Sequence, residues 1–225
     1  GNLKTILQIQ MIGNMKDKNI SKLLILLLLF INCSEKEIIA QDKDIDLQLR
    51  DEVIVENPVF KVWYSEVKEQ PIKLIYTSTN RVKNVDRGSM NFRTESDIHT
   101  SNNADYYRNV WDKGHLAPAA TYSDSMVNLK QTFSFLNCAL QNQYLNRGEW
   151  RLLEEQERVW DDEQNLTITV ELIWEDGFQI LPTGGHIPTH MSKHIYFEKG
   201  DTCKTFIFPN EKPIKGWEEY EVKCN

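Results

Sequence analysis

Two stretches decide how the chain is read: Trp111–Pro118 (WDKGHLAP) and Thr132–Glu154 (TFSFLNCALQNQYLNRGEWRLLE). In the first, the short apolar step Val110-Trp111 runs into Asp112-Lys113-Gly114-His115. A histidine directly after a glycine at such a step can be held at a strand end facing a loop, and Asp112 would orient the imidazole or brace the loop. In the second, Thr132–Leu140 reads as a buried strand. Asn146-Arg147-Gly148 then opens a helix to about Asp161, with Trp150, Leu153 and Val159 or Trp160 roughly on one side. On that helix Asn146 and Glu154 would be offset by about 80°, close enough to share a water-filled pocket. An amide oxygen and a carboxylate suit a hard cation that keeps most of its water, as Mg²⁺ does.

Working outward, Val62–Tyr64 and Ile72–Ser78 carry β-branched and aromatic residues around Gln70-Pro71 and predict a pair of strands. Residues 84–109 are polar and aperiodic, and so long an irregular stretch inside a compact domain is usually a functional loop. Leu166–Trp174 (LTITVELIW) predicts a strong strand, and Ile195–Phe197 and Thr205–Phe208 two more, the last broken by Pro209-Asn210. The pattern is α+β in a single domain over 60–225 with a central antiparallel sheet. Residues 41–59, charge-rich from Gln41 to Asn57, read as a tether.

Together the two stretches resemble the DNA/RNA non-specific endonucleases of the ββα-metal, or His-Me finger, fold. The family signature is Asp-Arg-Gly-His, Asn-x-x-x-Gln, then Asn-x-Gly-x-Trp-x-x-Leu-Glu. Here it falls on Asp112 to His115, on Asn137 with Gln141, and on Asn146, Gly148, Trp150, Leu153 and Glu154. Asp86-Arg87-Gly88 and Asn91-Phe92-Arg93 resemble the family's arginine-bearing loop. Ile187-Pro188-Thr189 and Phe206–Asn210 resemble its closing strands.

The resemblance implies a ββα-metal finger and Mg²⁺-dependent hydrolysis of DNA and RNA, with Mn²⁺ as a substitute and 5′-phosphate ends as products. It makes His115 the general base, an imidazole with an ordinary pKa of about 6.5. Asn146 becomes the direct protein ligand of the metal, and Glu154 holds metal-bound waters. Arg93, whose spacing fits better than that of Arg87, pairs with the phosphate, and Arg87 and Lys113 join it in binding substrate. Asp112, Asn137 and Gln141 brace the site. Lys113 departs from the family's arginine, and the two differ at a bidentate phosphate contact.

Charge sets the mode of substrate binding. The 225 residues carry 26 basic and 33 acidic side chains, a net charge of −7, which argues against a globally basic binding surface. The stretch 81–113 differs. Arg81, Lys83, Arg87, Arg93, Arg108 and Lys113 there face Asp86, Glu95, Asp97, Asp105 and Asp112, a slight basic excess. This predicts a focused cleft with a weak, salt-sensitive grip on backbone rather than bases.

Residues 1–40 read as a leader. Lys16, Lys18 and Lys22 precede the apolar run Leu23–Ile31. As a helix this run reaches about 14 Å, against a hydrocarbon core of about 30 Å, so it predicts a signal peptide rather than a membrane span. Cys33 sits where a bacterial lipoprotein carries its lipidated cysteine, and cleavage after Ala40 is the competing expectation. Either predicts export, to a bacterial envelope or to the periplasm or medium, with a membrane partner if Cys33 is acylated. In such a compartment Cys203 and Cys224 can form a disulfide worth about 3 kcal/mol, or stay as two thiols, whereas Cys138 reads as a small buried hydrophobe.

His186, His190 and His194 have helical spacing, but Gly184-Gly185 and Pro188 argue against a helix and so against a zinc site built on them. Glu155 and Glu157 read as an exposed helix face. A surface lipoprotein that binds nucleic acid without cutting it is the alternative, resting on Lys113 and the acidic charge. The sequence is compatible with a homodimer and identifies no inhibitor protein.

Overall fold

Period-two alternation builds the main sheet. In β2 (Phe60–Ser65) Phe60, Val62 and Tyr64 are buried, while Lys61 and Trp63 lie on the other face. The same holds for Leu74 and Tyr76 in β3 (Gln70–Ser78) and for Leu166, Ile168, Val170 and Leu172 in β6 (Leu166–Ile173). It holds again for Phe206 and Phe208 in β8 (Thr202–Pro209). The computed structural model describes residues 48–224, and those from Leu49 onward form one compact unit. With β1 (Val53–Glu56), β7 (His190–Phe197) and β9 (Glu221–Val222) the sheet has seven strands in the order β1-β2-β3-β6-β7-β8-β9, every neighbouring pair antiparallel. A second, two-stranded antiparallel sheet is formed by β4 (Trp111–His115) and β5 (Cys138–Asn142).

Among the described residues three helices accompany the strands: α1 (Met126–Thr132), α2 (Gln143–Arg147) and α3 (Glu149–Trp160). α3 lays Trp150 and Leu153 into the core, with Trp150 edge-on to Phe208 at 5.8 Å and Trp160 edge-on to Phe197 at 5.3 Å. The order β4, β5, α2–α3 is the ββα finger, so the α+β class, the central antiparallel sheet and the finger all match the expectation.

Several local readings are corrected. The lead-in 41–59 is not wholly a tether, because Val53–Glu56 pairs with β2 over Val53↔Tyr64 to Glu56↔Lys61. Its alternation (VIVE) was masked in sequence by flanking charge. Thr132–Leu140 is not one strand. Thr132 ends α1, the Ser134 side chain accepts from Leu136 N to start a 3₁₀ turn at Phe135–Asn137, and only then does β5 begin. The helix expected from Asn146 is two helices broken at Gly148, where a Cβ would come within 2.5 Å of the Tyr144 carbonyl oxygen. Glu157 is not on an exposed face; it is fully buried, because a buried lysine on β7 meets it.

Residues 84–109 are irregular as expected, apart from a 3₁₀ turn at Asn103–Tyr106 and a bridge between Arg93 and Ser134. Cys203 and Cys224 are joined by a disulfide, and Cys138 is buried and free. The signal peptide, Cys33, Ala40 and residues 41–47 of the lead-in lie outside the described residues. Among the described residues no helix is long and apolar enough to cross a membrane.

Candidate active site

β4 and β5 pair in the register Asp112↔Gln141, Gly114↔Ala139 and His115↔Cys138. Gly114 is required here, since a Cβ would lie 2.6 Å from Gln141 Cβ and closer still to its amide oxygen. Gln141 is itself fully buried, packed across the strand pair. Just past His115 the chain is clamped by buried Asn137. Its Oδ1 accepts from Ala117 N at 2.7 Å, and its Nδ2 donates to the Ala117 and Thr132 carbonyls, both at 2.9 Å. Asn137 therefore ties down the chain just past His115, whereas the buried Gln141 amide has no hydrogen-bond partner among the described residues and packs against Gly114.

His115 sits between Phe92 and Phe133, with ring centroids 4.7 and 4.9 Å away. Its Nε2 is buried and has no hydrogen-bond partner among the described residues. Burial against these rings drives its pKa down to about 3, with the positive charge of Arg87 adding to the effect. The ordinary value expected from sequence is thus displaced, and the imidazole is neutral across the physiological range.

Asp112 does not orient His115. It accepts from Asn146 Nδ2 at 2.9 Å and from Arg147 Nε and Nη2 at 2.8 and 2.6 Å, tying β4 to α2. Because the Asn146 amide nitrogen is held by Asp112, its oxygen is the atom left for the cleft. Glu154 lines the same cleft from α3. Burial raises its carboxyl to about 7, with Lys193 opposing the shift and Glu157 adding to it. The two residues lie on separate helices, so their meeting does not come from the helical offset expected in the sequence.

The cleft is open, about 750 Å³, and is lined by Arg87, Lys113, His115, Asn146, Arg151 and Glu154 among others. The Lys113 ammonium bonds Asn103 Oδ1 and lies 5.7–6.0 Å from the ring centroids of Phe135, Tyr106 and Phe92. Arg87 lies over the Phe133 ring at 5.6 Å. Arg93 is not among the lining residues: its guanidinium bonds the Lys130 carbonyl and Gln131 Oε1, and its Nε lies 3.8 Å from Glu95. The structure therefore brings Arg87, not Arg93, to the histidine. Arg147 and Arg151 were missed in sequence, although their spacing from Asn146 and Glu154 on the helical segment was a usable signal.

The donor set fits a hard divalent cation, since an amide oxygen and a carboxylate offer only oxygens. His186, His190 and His194 are not gathered into one candidate ligand group. Among the described residues the three-ligand grouping is His194 with Cys203 and Cys224, and both of those sulfurs are in the disulfide.

Comparison with known proteins agrees with this geometry. The family profile for DNA/RNA non-specific endonuclease matches residues 45–225. Nuclease EXOG, mitochondrial, of Danio rerio is 27% identical over 161 residues, 60% of this chain and 45% of that protein. Endonuclease G, mitochondrial, is 29% identical in Homo sapiens, over 56% of this chain and 48% of that protein. The Bos taurus protein of the same name is 36% identical, over 55% and 48%. The chain thus matches about half the length of these curated relatives. A chain of the solved EndoG/EndoGI complex superposes with a TM-score of 0.68 at 23% identity, covering 76% of this chain and 80% of that one, and so shares the fold. By the match over most of its length, the chain belongs to the DNA/RNA non-specific endonuclease family.

Proposed function

We propose that this protein is an exported, Mg²⁺-dependent endonuclease that hydrolyses the phosphodiesters of DNA and RNA without base specificity, leaving 5′-phosphate and 3′-hydroxyl ends. The observation that carries this reading is one open cleft that holds a neutral imidazole, an amide oxygen presented by Asp112, and a carboxylate. His115, as general base, takes a proton from the water whose oxygen bonds to phosphorus as the bond to the 3′ oxygen breaks. An incoming phosphate would raise the depressed imidazole pKa as it brings negative charge beside it. Asn146 would hold the divalent cation directly and Glu154 through its waters. When bound, the cation supplies charge neutralisation at the phosphate and at the departing oxygen. Arg87 and Lys113 bind phosphate oxygens, Arg87 taking the role that the sequence spacing had suggested for Arg93. Arg151 extends the positive rim, which suits recognition of backbone by an acidic protein.

Export is supported by the apolar run Leu23–Ile31 with its preceding lysines, and Cys33 would carry the lipid anchor. The test is digestion of plasmid and of RNA by the full chain in Mg²⁺ and in EDTA, beside His115→Ala. Metal-dependent cutting of both substrates, lost in the variant, is the expected result. A folded protein that binds DNA and cuts nothing in Mg²⁺ or Mn²⁺ would replace this reading with a nucleic-acid-binding lipoprotein.

A further inference from the structure

A charged side chain with no part in the chemistry lies fully buried behind Glu154. The Lys193 ammonium, on β7, pairs with Glu157 Oε1 at 2.7 Å, and neither side chain is exposed. It lies 3.7 Å from Glu154 Oε1, 3.5 Å from Tyr76 Oη and 4.5 Å from the centroid of the Trp150 ring. Tyr76 Oη in turn donates to Glu157 Oε2 at 2.7 Å. Glu154 and Glu157 are three residues apart on α3 and so share a face toward the lysine.

The two carboxylates are held differently. Both oxygens of Glu157 are used, one by Lys193 and one by Tyr76, so Glu157 is locked to β3 and β7. Glu154 is approached by the lysine at one oxygen only, and its side chain retains 14% exposure at the cleft. The ammonium is held by Glu157 and lies over the Trp150 face, with none of the side chain exposed. A buried ion pair is weak evidence for a role in stability, since well-packed apolar residues of similar volume often replace one without loss.

We infer that Lys193 is a positioning residue for Glu154. Anchored by Glu157 and Tyr76, it holds one oxygen of Glu154 from behind and so aims the other at the metal-water site of the cleft. This rests on the endonuclease reading above.

The test uses the full chain with Lys193→Met and with Lys193→Met/Glu157→Leu, the second removing the buried partner so that Glu157 is not stranded. Mn²⁺ affinity is measured by calorimetry without substrate, the Mg²⁺ needed for half-maximal cutting by plasmid nicking, DNA affinity in EDTA, and folding by thermal melting. Both variants are expected to lose roughly tenfold or more in Mn²⁺ affinity and to need correspondingly more Mg²⁺, with DNA affinity in EDTA unchanged. Adding Glu154→Gln to Lys193→Met is expected to cost little more, because the lysine acts through that carboxylate. A folded double variant that binds Mn²⁺ within twofold of wild type would overturn the inference. So would loss of folding in both Lys193 variants, which would make the lysine a structural requirement. Wild type that neither binds Mn²⁺ nor cuts would bring down the endonuclease reading itself, and this with it.

Discussion

The seven-stranded sheet and the β4–β5 finger are both antiparallel, yet different forces hold them. The sheet is secured by area: Leu74, Ile168, Val170, Met191, Ile195, Phe206 and Phe208 are all fully buried. A two-stranded pair such as the finger is marginal by itself. Here it is stitched down by three buried amides. Asn137 clamps Ala117 and Thr132, and Gln70 Oε1 accepts from Leu140 N at 2.9 Å. Asn210 accepts from Asn142 N at 2.8 Å and donates to the Leu140 and Pro188 carbonyls, both at 2.9 Å. Apolar area is non-directional and tolerates small shifts, whereas hydrogen bonds lose strength steeply with angle and distance. The finger is thus built for position and the sheet for stability.

That contrast can be broken in several ways. The largest effect is expected from His115→Ala, which should lower the rate of plasmid cutting about 10²–10⁴-fold while leaving the melting temperature close to that of wild type. On the sheet side, Trp150→Ala should cost about 3–5 kcal/mol in urea unfolding, through the cavity it leaves against Phe208. Asn137→Ala should cost about 2–4 kcal/mol by leaving three buried backbone groups unpaired. Its activity should fall at temperatures where the sheet still gives a native circular dichroism spectrum. If Asn137→Ala and Trp150→Ala lose activity and structure together at one temperature, the finger and sheet are a single cooperative unit and the contrast fails. Arg87→Ala should reduce cutting roughly tenfold, and Arg93→Ala less than about threefold, since only Arg87 reaches the cleft. The reverse ranking would restore Arg93 to the site.

The smallest effects are in the dependence of stability on pH, measured in EDTA by urea midpoints. His115 falls from an ordinary 6.5 to about 3. The unfolded chain therefore takes up its proton first, and stability is lost as pH falls from 6.5 toward 3. Glu154 rises from 4.5 to about 7, so its contribution is present below 4.5 and lost as pH rises through 7. Between these ordinary values the two slopes oppose and a near-plateau is expected. Below it stability drops, helped by Glu66, whose carboxyl is held near 2 by the Arg50 guanidinium and whose contribution is lost as pH falls. His115→Ala should convert the plateau into a decline with rising pH, of the order of 1 kcal/mol per pH unit.

Much of this was legible in residues. The long alternating runs at 72–78 and 166–174 became β3 and β6, because a sheet with one buried face imposes period two on its own sequence. His115, Asn146 and Glu154 were found by motif spacing, and the structure brings all three to one cleft. The misread segments, Val53–Glu56 and Thr132–Leu140, are short, and their character comes from partners far along the chain or from side chains bonding backbone. Glu157 was misread because its partner Lys193 lies 36 residues away on another element.

The sequence by itself determined the family, the alternation of the central strands and the identity of the cleft's histidine, amide and carboxylate. These rest on local spacing, which covalent geometry and the strand and helix periods transmit directly. Only the tertiary structure decided which arginine faces the histidine, that His115 loses its ordinary basicity between Phe92 and Phe133, and that a buried lysine stands behind Glu154. Those outcomes depend on desolvation and on charges brought together from distant positions, and neither exists until the chain has folded.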